Sequence, residues 1–600
     1  RLNTAPEWSG RLKLYVVMAP HIEVRGWHNS ARRHRAAGQP VLVAWRRGER
    51  ATTYAALGCS PPFMRTSCGY SGVSCGWADL MDNMRMDWEF DCAEDGSVAV
   101  TGEVDVTRGE FTLGLAFGDS PQAATARLVE ALAYPFDSHR RRFVDGWKKH
   151  NSAQPERDFD PSRVTGDEGR LFRISYRLLQ AHEDKRFAGA FIASPSIPWG
   201  EAKGDEYLGG YHLAWPRDMF HVATALMAAG DYAAALRALI YLACSQRPDG
   251  SFPANFWLDG TPHNTGLQLD EVAFPVILAW RLWQTDRLED FDPYPTVMAA
   301  ARCLLVNGPA TEQERWEDAS GYSPSTLASN IAALVCAADF AHNRGQSTVA
   351  SYLLDYADFL ESHLEQWTVT NSGTILPDVR CHYIRILPAD VRNPRPVEDP
   401  DRAVMWIANR PPGSPLEVPA KEVVDAGFLE LVRYGIRPAD SALIRDSLRV
   451  VDAVLKVETP YGPCWRRYTH DGYGQRSDGG PYLGWGRGRA WPLLTGERGH
   501  YELAAGGNAH EYIRAMERFA VGCGMLPEQV WDEPDRPDLG LYLGRPTGAA
   551  MPLAWAHAEY MKLVRSAWDG EVYDRLPIVA DRYLAGRGRK DLEIWKPNRQ

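Results

Sequence analysis

The segment "EQERWEDASGYSPS" (312–325) places Glu317 and Asp318 directly after Trp316 and just ahead of a Ser323-Pro324 pair. Acids at a helix N-terminus favour its dipole. Here Ser323 is the natural N-cap and Pro324 the first helical residue, so both acids stand in the loop before the helix. The dipole therefore explains them poorly. A carboxyl beside an indole suits general-acid work, because the low polarity of the ring raises its pKa toward neutrality.

Three further loops carry comparable groups. "GGYHLAWPRDMF" (209–220) holds Tyr211, Trp215, Arg217 and Asp218, a charged fork between aromatic walls that could bond the hydroxyls of a sugar. "GMLPEQVWDEP" (524–534) holds Glu528, and "YLGWGRGRAWPLLTGERGHYELAAG" (482–506) holds Glu497. Taken singly, each also reads as a capped helix start or a polar loop. Glycoside hydrolysis needs one carboxylic acid to protonate the leaving oxygen and a carboxylate opposite it, to activate water or to attack. The sequence supplies acids of the right kind without their separation.

The elements that must position these residues fall into two regions. From 11 to about 120 the period is two, in runs such as "RLKLYVVM", "PVLVAWRR", "WEFDCAEDGSVAVTGEVDV" and "EFTLGLAFG", which predicts an antiparallel sandwich with a hairpin at Asp95-Gly96. After about 165 the period is helical. Twelve helices are predicted, near 168–183, 216–229, 231–245, 268–283, 293–306, 323–342, 346–367, 420–433, 439–457, 487–503, 508–523 and 547–565. In the sixth, Leu327, Ile331, Leu334, Val335 and Ala338 form one apolar stripe. Twelve helices without a fixed repeat suit an (α/α)6 toroid better than a solenoid. Long loops at 246–267, 307–322, 371–417 and 458–486 are where function is expected on such a scaffold.

A length of 600 residues requires one large domain or two to three ordinary ones. The net charge of −11 and the absence of a long basic run argue against nucleic acid or an anionic membrane as partner. No apolar stretch approaches the roughly 20 residues of a membrane span. The ten cysteines form no C-x-x-C pair, so neither a metal nor a cofactor is called for, while a disulfide among Cys59, Cys68, Cys75 and Cys92 stays open. The chain opens at Arg1 in mid-pattern and reads as a mature or truncated form. Secretion or a periplasmic location is expected, with the cytoplasm not excluded, and a separate N-terminal piece is expected to complete the sandwich.

Seven motifs in order, among them "GYHLAWPRD", "QLDEVAFPVILAWRLW", "GPATEQERWEDASGYSPSTLA", "GRGRAWPLLTGERGHYELAAG" and "LPEQVWD", resemble glycoside hydrolase family 15, in particular its bacterial glucoamylases and glucodextranases. The resemblance spans nearly the whole chain. It implies a β-supersandwich over 1–145, a linker over 146–165 and an (α/α)6 catalytic barrel over 166–600. It also implies an exo-acting, inverting α-glucoside hydrolase that releases β-glucose from α-glucans or oligosaccharides. Carried over by position, Glu317 is the expected general acid and Glu528 the expected base, with Glu497 structural. Tyr211, Trp215, Arg217, Asp218, Trp316, Asp318, Arg433, Trp555, His263 and Asn264 are the expected substrate contacts.

The sequence departs from the family pattern at His263-Asn264, where an aromatic pair is usual, and at Asp318, where a glutamate is usual. Both changes fall where the leaving part of the substrate would sit. They direct expectation to an α-1,6 glucan, a transfer reaction or a non-glucose leaving group. A glucosyltransferase on the same scaffold and a lapsed carbohydrate-binding protein are the alternatives.

Overall fold

The computed structural model describes residues 2–3, 12–48, 52–107, 109–152, 159–203, 210–391, 393, 398–520 and 522–587. The chain forms two compact units, Arg1–Ala153 with Lys203–Gly209, and Gln154–Ala202 with Gly210–Gln600.

In the first unit the strands are β1 (Leu2–Asn3), β2 (Leu14–Met18), β3 (Asn29–Ala36), β4 (Gln39–Arg47), β5 (Thr52–Ser60), β6 (Arg65–Tyr70), β7 (Cys92–Gly96), β8 (Val98–Val104) and β9 (Glu110–Gly118). An antiparallel sheet of order β1-β9-β5-β4-β3-β7 faces a smaller one of order β2-β8-β6. Side chains alternate across a strand, and β4 uses both faces. Leu42 and Ala44 enter the core between the sheets, while Val41 and Val43 pack with Leu128 on the other side. Leu128 belongs to α2 (Pro121–Ala133), one of three helices here with α1 (Gly76–Asn83) and α3 (Phe136–Ser152).

Asp95-Gly96 is not a hairpin. Both edges of β8 are taken by β2 and β6, so the turn instead passes β7 to the edge of β3 in the other sheet. The disulfide left open by the sequence does not form: Cys59, Cys68 and Cys75 are buried free thiols and Cys92 is an exposed one. Among the described residues the far edge of β9 is paired by β1 at Phe111 and Glu110, and Leu113, Leu115 and Phe117, on the same face as core Phe111, are exposed.

The second unit is helical. Six helices form a closed inner ring, α5 (Pro216–Ala228), α7 (Leu269–Gln284), α9 (Pro324–Asn343), α11 (Leu429–Arg433), α13 (Pro492–Ala504) and α15 (Ala554–Asp569), each touching the next and α15 returning to α5. Around them lie α4 (Arg170–His182), α6 (Tyr232–Ser245), α8 (Tyr294–Asn307), α10 (Ser347–Thr368), α12 (Ala442–Leu455) and α14 (His510–Phe519), followed by α16 (Pro577–Tyr583). This is an (α/α)6 barrel.

Ring membership explains why α9 is buried almost all round and not only along its predicted stripe: it packs against α7, α10 and α11 at once. The helix predicted over 420–433 shrinks to Leu429–Arg433. Upstream, the Val423 and Val424 carbonyls accept from the Arg385 and Thr469 N–H groups, which holds that stretch extended.

Candidate active site

Loops at the ends of the inner helices enclose a cavity of about 350 Å³. Nine of the residues expected from sequence line it: Tyr211, Trp215, Arg217, Asp218, Trp316, Glu317, Asp318, Glu528 and Trp555. They come from segments more than 300 residues apart, brought together by closure of the ring.

Arg217 and Asp218 open α5, behind Trp215 as N-cap and Pro216 at the first helical position. The buried Arg217 guanidinium is shared among acids. Its Nε donates to Asp270 Oδ2 at 2.8 Å, Nη2 donates to Gln268, and Nη1 lies 3.5 Å from Glu317 Oε1 and 3.7 Å from Glu271 Oε1. Burial lifts the Asp218 carboxyl to about 7, although Arg217 beside it works the other way.

Glu317 sits in a turn closed by its own N–H to Glu314 O, at φ +67°. Such a backbone is costly for a residue with a side chain, of order 1–3 kcal/mol, and such residues cluster at functional sites. Its side chain keeps 32% of its surface open to the cavity. Burial raises its pKa, and the Arg217 guanidinium only partly offsets this. Asp318 behaves in the opposite way. Against burial, the Arg385 and Arg467 guanidinia hold it below the usual carboxylate range, and Tyr468 Oη donates to its second oxygen. The two neighbouring acids are thus set apart, one disposed to carry a proton and one fixed as an anion.

Glu528 is fully buried and pushed up to about 7 by that burial. Tyr211 Oη donates to its Oε1 at 2.8 Å, and the Ala550 N–H donates to Oε2 at 3.0 Å. Tyr473 Oη lies 2.8 Å from Tyr211 Oη, which makes a Tyr473–Tyr211–Glu528 chain. The indoles of Trp316, Trp491 and Trp555 form much of the wall, with Trp316 centred 5.5 Å from Trp491 and 6.1 Å from Trp555. The indole N–H groups of Trp491 and Trp555 are buried without a protein acceptor, and sugar hydroxyls could supply one.

Three expected contacts lie elsewhere. Arg433 is buried behind the cavity, paired with both oxygens of Glu559 at 2.9 Å and with Asp574 at 2.6 Å, so its donors are spent on the barrel interior. Besides Arg217 and Arg315, the wall carries Arg467, clamped by Asp471 through two bonds of 2.8 Å and stacked over Trp316 and Trp491. His263 and Asn264 belong to a hairpin of β10 (Asn255–Phe256) and β11 (Pro262–Asn264), outside the cavity lining. His263 is tied to Asn255, and Asn264 Oδ1 accepts from the Gly266 N–H. Glu497 also stands behind the wall, bonded through both oxygens to Arg315, which does line the cavity.

Sequence reasoning passed over Arg315, Asn409, Arg467, Tyr473, Tyr482 and Trp491 as lining residues. The run "WRRYTHDGYG" around Arg467 has the same aromatic, charged and glycine-rich character as the loops that were singled out, and that signal could have found it.

The family model for glycosyl hydrolases family 15 matches residues 172–246 and 255–565, and that for the N domain of glucodextranase matches residues 2–152. The chain belongs to glycosyl hydrolases family 15. It is 39% identical over 574 residues to a glucoamylase of Clostridium sp. (strain G0005), a match covering 96% of this chain and 76% of that one. It is likewise similar to the crystal structure of a bacterial glucoamylase complexed with acarbose, at 39% identity and a TM-score of 0.83, covering 95% of this chain and 79% of that one. The protein is therefore a glycoside hydrolase of the glucoamylase-like type. Among the described residues no helix is long and apolar enough to cross a membrane.

Proposed function

We propose that this family 15 enzyme removes single glucose units from the non-reducing ends of α-glucans or oligosaccharides, with inversion to β-glucose. The observation that carries the reading is one small cavity lined by three carboxyls whose proton affinities burial has raised, Asp218 beside Arg217 at the start of α5 and the loop acids Glu317 and Glu528. A cavity of about 350 Å³ suits a chain end and not the middle of a polymer, which supports exo action.

In this reading Arg217 and Asp218 bond hydroxyls of the terminal glucose, and the indoles cover its apolar faces. Protonated Glu317 gives its proton to the glycosidic oxygen as the C1–O bond breaks. Glu528 takes a proton from a water that attacks C1 from the opposite face. The products are β-glucose and a shortened glucan, and proton exchange with solvent resets both acids. Asp318, fixed as an anion by Arg385 and Tyr468, lines the cavity next to Glu317 and would face the leaving sugar. Acceptance of α-1,6-linked or non-glucose leaving groups rests on the sequence departures at His263-Asn264 and Asp318, of which Asp318 alone lines the cavity.

The test is anomer-resolved product analysis on maltose, isomaltose, dextran and starch, with binding of acarbose as a second readout. Initial release of α-glucose, or of oligosaccharides in place of glucose, would refute inversion or exo action respectively. For the first unit, the exposed Leu113, Leu115 and Phe117, on a β9 edge that the described residues pair only at Glu110 and Phe111, support a further strand-bearing piece as partner, since folded proteins usually cover such edges. Native mass spectrometry of the isolated protein would detect it.

A further inference from the structure

A second, larger cavity of about 1130 Å³ shares no lining residue with the first. Its nearest wall is common property nevertheless. Three chain segments build that wall, and each sends residues to both sides. Asn409, Arg467, Tyr473 and Tyr482 face the catalytic cavity, whereas Arg410, Tyr468, Asp471 and Trp485 face the second one.

The wall is thin because glycines let the segments meet backbone to backbone. A Cβ on Gly472 would stand 1.7 Å from Asn409 O, and one on Gly486 would stand 2.0 Å from Gly474 O. The Gly472 N–H donates to Asn409 Oδ1 and the Gly488 N–H to Asp471 O, which ties the three segments together. His470, at φ +66°, holds a backbone conformation that non-glycine residues rarely adopt, again in this wall.

The chemistry of the second cavity suits a neutral polyhydroxyl ligand. Three of its four arginines are compensated by acids, Arg466 by Asp532 at 2.6 Å, Arg476 by Asp478 at 3.3 Å and Arg487 by Glu533 at 2.5 Å, while Arg410 donates to the Pro415 carbonyl. Paired ions of this kind leave little net field for an anion but offer spare donors and lone pairs to hydroxyl groups. Among them stands the half-buried indole of Trp485, braced by the Arg476 guanidinium 5.1 Å from its centre. An aromatic platform ringed by a few fixed polar groups is the usual make-up of a small-molecule site.

We propose that this cavity is an accessory glucan-binding site, with Trp485 as its platform, coupled to the catalytic cavity through the shared wall. The identity of the ligand rests on the α-glucan reading above. The coupling rests on two side chains. Tyr468 lines the second cavity while its hydroxyl donates to Asp318 in the first. Asp471 likewise lines the second cavity while it clamps Arg467, which lines the first. A glucan segment held here bears on Tyr468, which donates to Asp318, and on Asp471, which positions the Arg467 guanidinium beside it.

The test uses the full chain with maltoheptaose. Calorimetric titration of the inactive Glu317→Gln variant should show two binding sites, and the same variant carrying Trp485→Ala should show one. Arg487→Ala, an exposed change that leaves the wall intact, should weaken that same site and serves if Trp485→Ala fails to fold. In the active chain, Trp485→Ala should lower kcat/KM on soluble glucan about tenfold, as expected for loss of an aromatic anchor, and leave kcat/KM on an aryl α-glucoside unchanged. A single site in the Glu317→Gln parent would overturn the proposal, as would equal losses on both substrates. A wild-type chain without α-glucosidase activity would overturn the functional reading, and the site count would still decide this one.

Discussion

Replacing Tyr211 by Phe removes one oxygen and, with it, the 2.8 Å bond donated to Glu528 Oε1. That bond favours the ionised carboxylate and opposes the burial that carries Glu528 up to about 7. A hydrogen bond to a charged group contributes about 1.5–3 kcal/mol, and one pKa unit corresponds to about 1.4 kcal/mol. The Glu528 pKa should therefore rise by roughly one to two units in Tyr211→Phe.

As general base, Glu528 works only when ionised, so kcat/KM falls as pH drops through its pKa in the free enzyme. The acid limb of the kcat/KM profile should accordingly move to higher pH by the same amount. At a fixed pH below both limbs the variant should be about ten- to a hundredfold slower. The basic limb, which belongs to Glu317, should stay in place. The assay is kcat/KM against pH on an aryl α-glucoside, with thermal unfolding as control. A loss of activity that is the same at every pH, with the acid limb unmoved, would refute Glu528 as the titrating base. Tyr473→Phe, one bond further out, should shift the limb in the same direction by less.

Glu317→Gln and Glu528→Gln should each reduce turnover by about 10²–10⁴-fold while leaving the melting temperature near that of the wild type. In a crystal of the acarbose complex the two carboxyls should stand about 6.5–9.5 Å apart, as an inverting pair requires. Arg433→Ala should destabilise the fold by about 3–5 kcal/mol, because it strands the buried acids Glu559 and Asp574; chemical denaturation measures this, and an unchanged midpoint with a raised KM would return Arg433 to the substrate site. Asn264→Trp should raise kcat/KM for maltose relative to isomaltose by about two- to tenfold, the equivalent of one aromatic contact of about 0.5–1.5 kcal/mol, and an unchanged ratio would show that the substitution is silent.

Local order was legible because it depends on local chemistry. Period-two runs mark strands that bury a face, and i, i+3, i+4 spacing marks the helices, with Pro216 and Pro324 at first helical positions as predicted. The loop acids were legible for the same reason: an acid next to Trp316 and ahead of a cap needs no tertiary contact to attract notice. Partner choice was not legible. Periodicity tells which face of α9 is apolar, but only ring closure buries the remaining faces and returns α15 to α5.

The same limit separates Arg433 from Arg467. Both are arginines in aromatic surroundings, and a guanidinium serves equally well in a buried ion pair or at a ligand. Arg433 is spent on Asp574, 141 residues away, whereas Arg467 is clamped by a neighbour and left facing the cavity. Sequence determined most of the elements, the prolines that open α5 and α9, and the acids available for chemistry. Tertiary structure alone decided which acids share a cavity, which of them burial pushes upward in pKa, and which arginine faces that cavity, because burial and pairing are properties of neighbours that the chain order does not name.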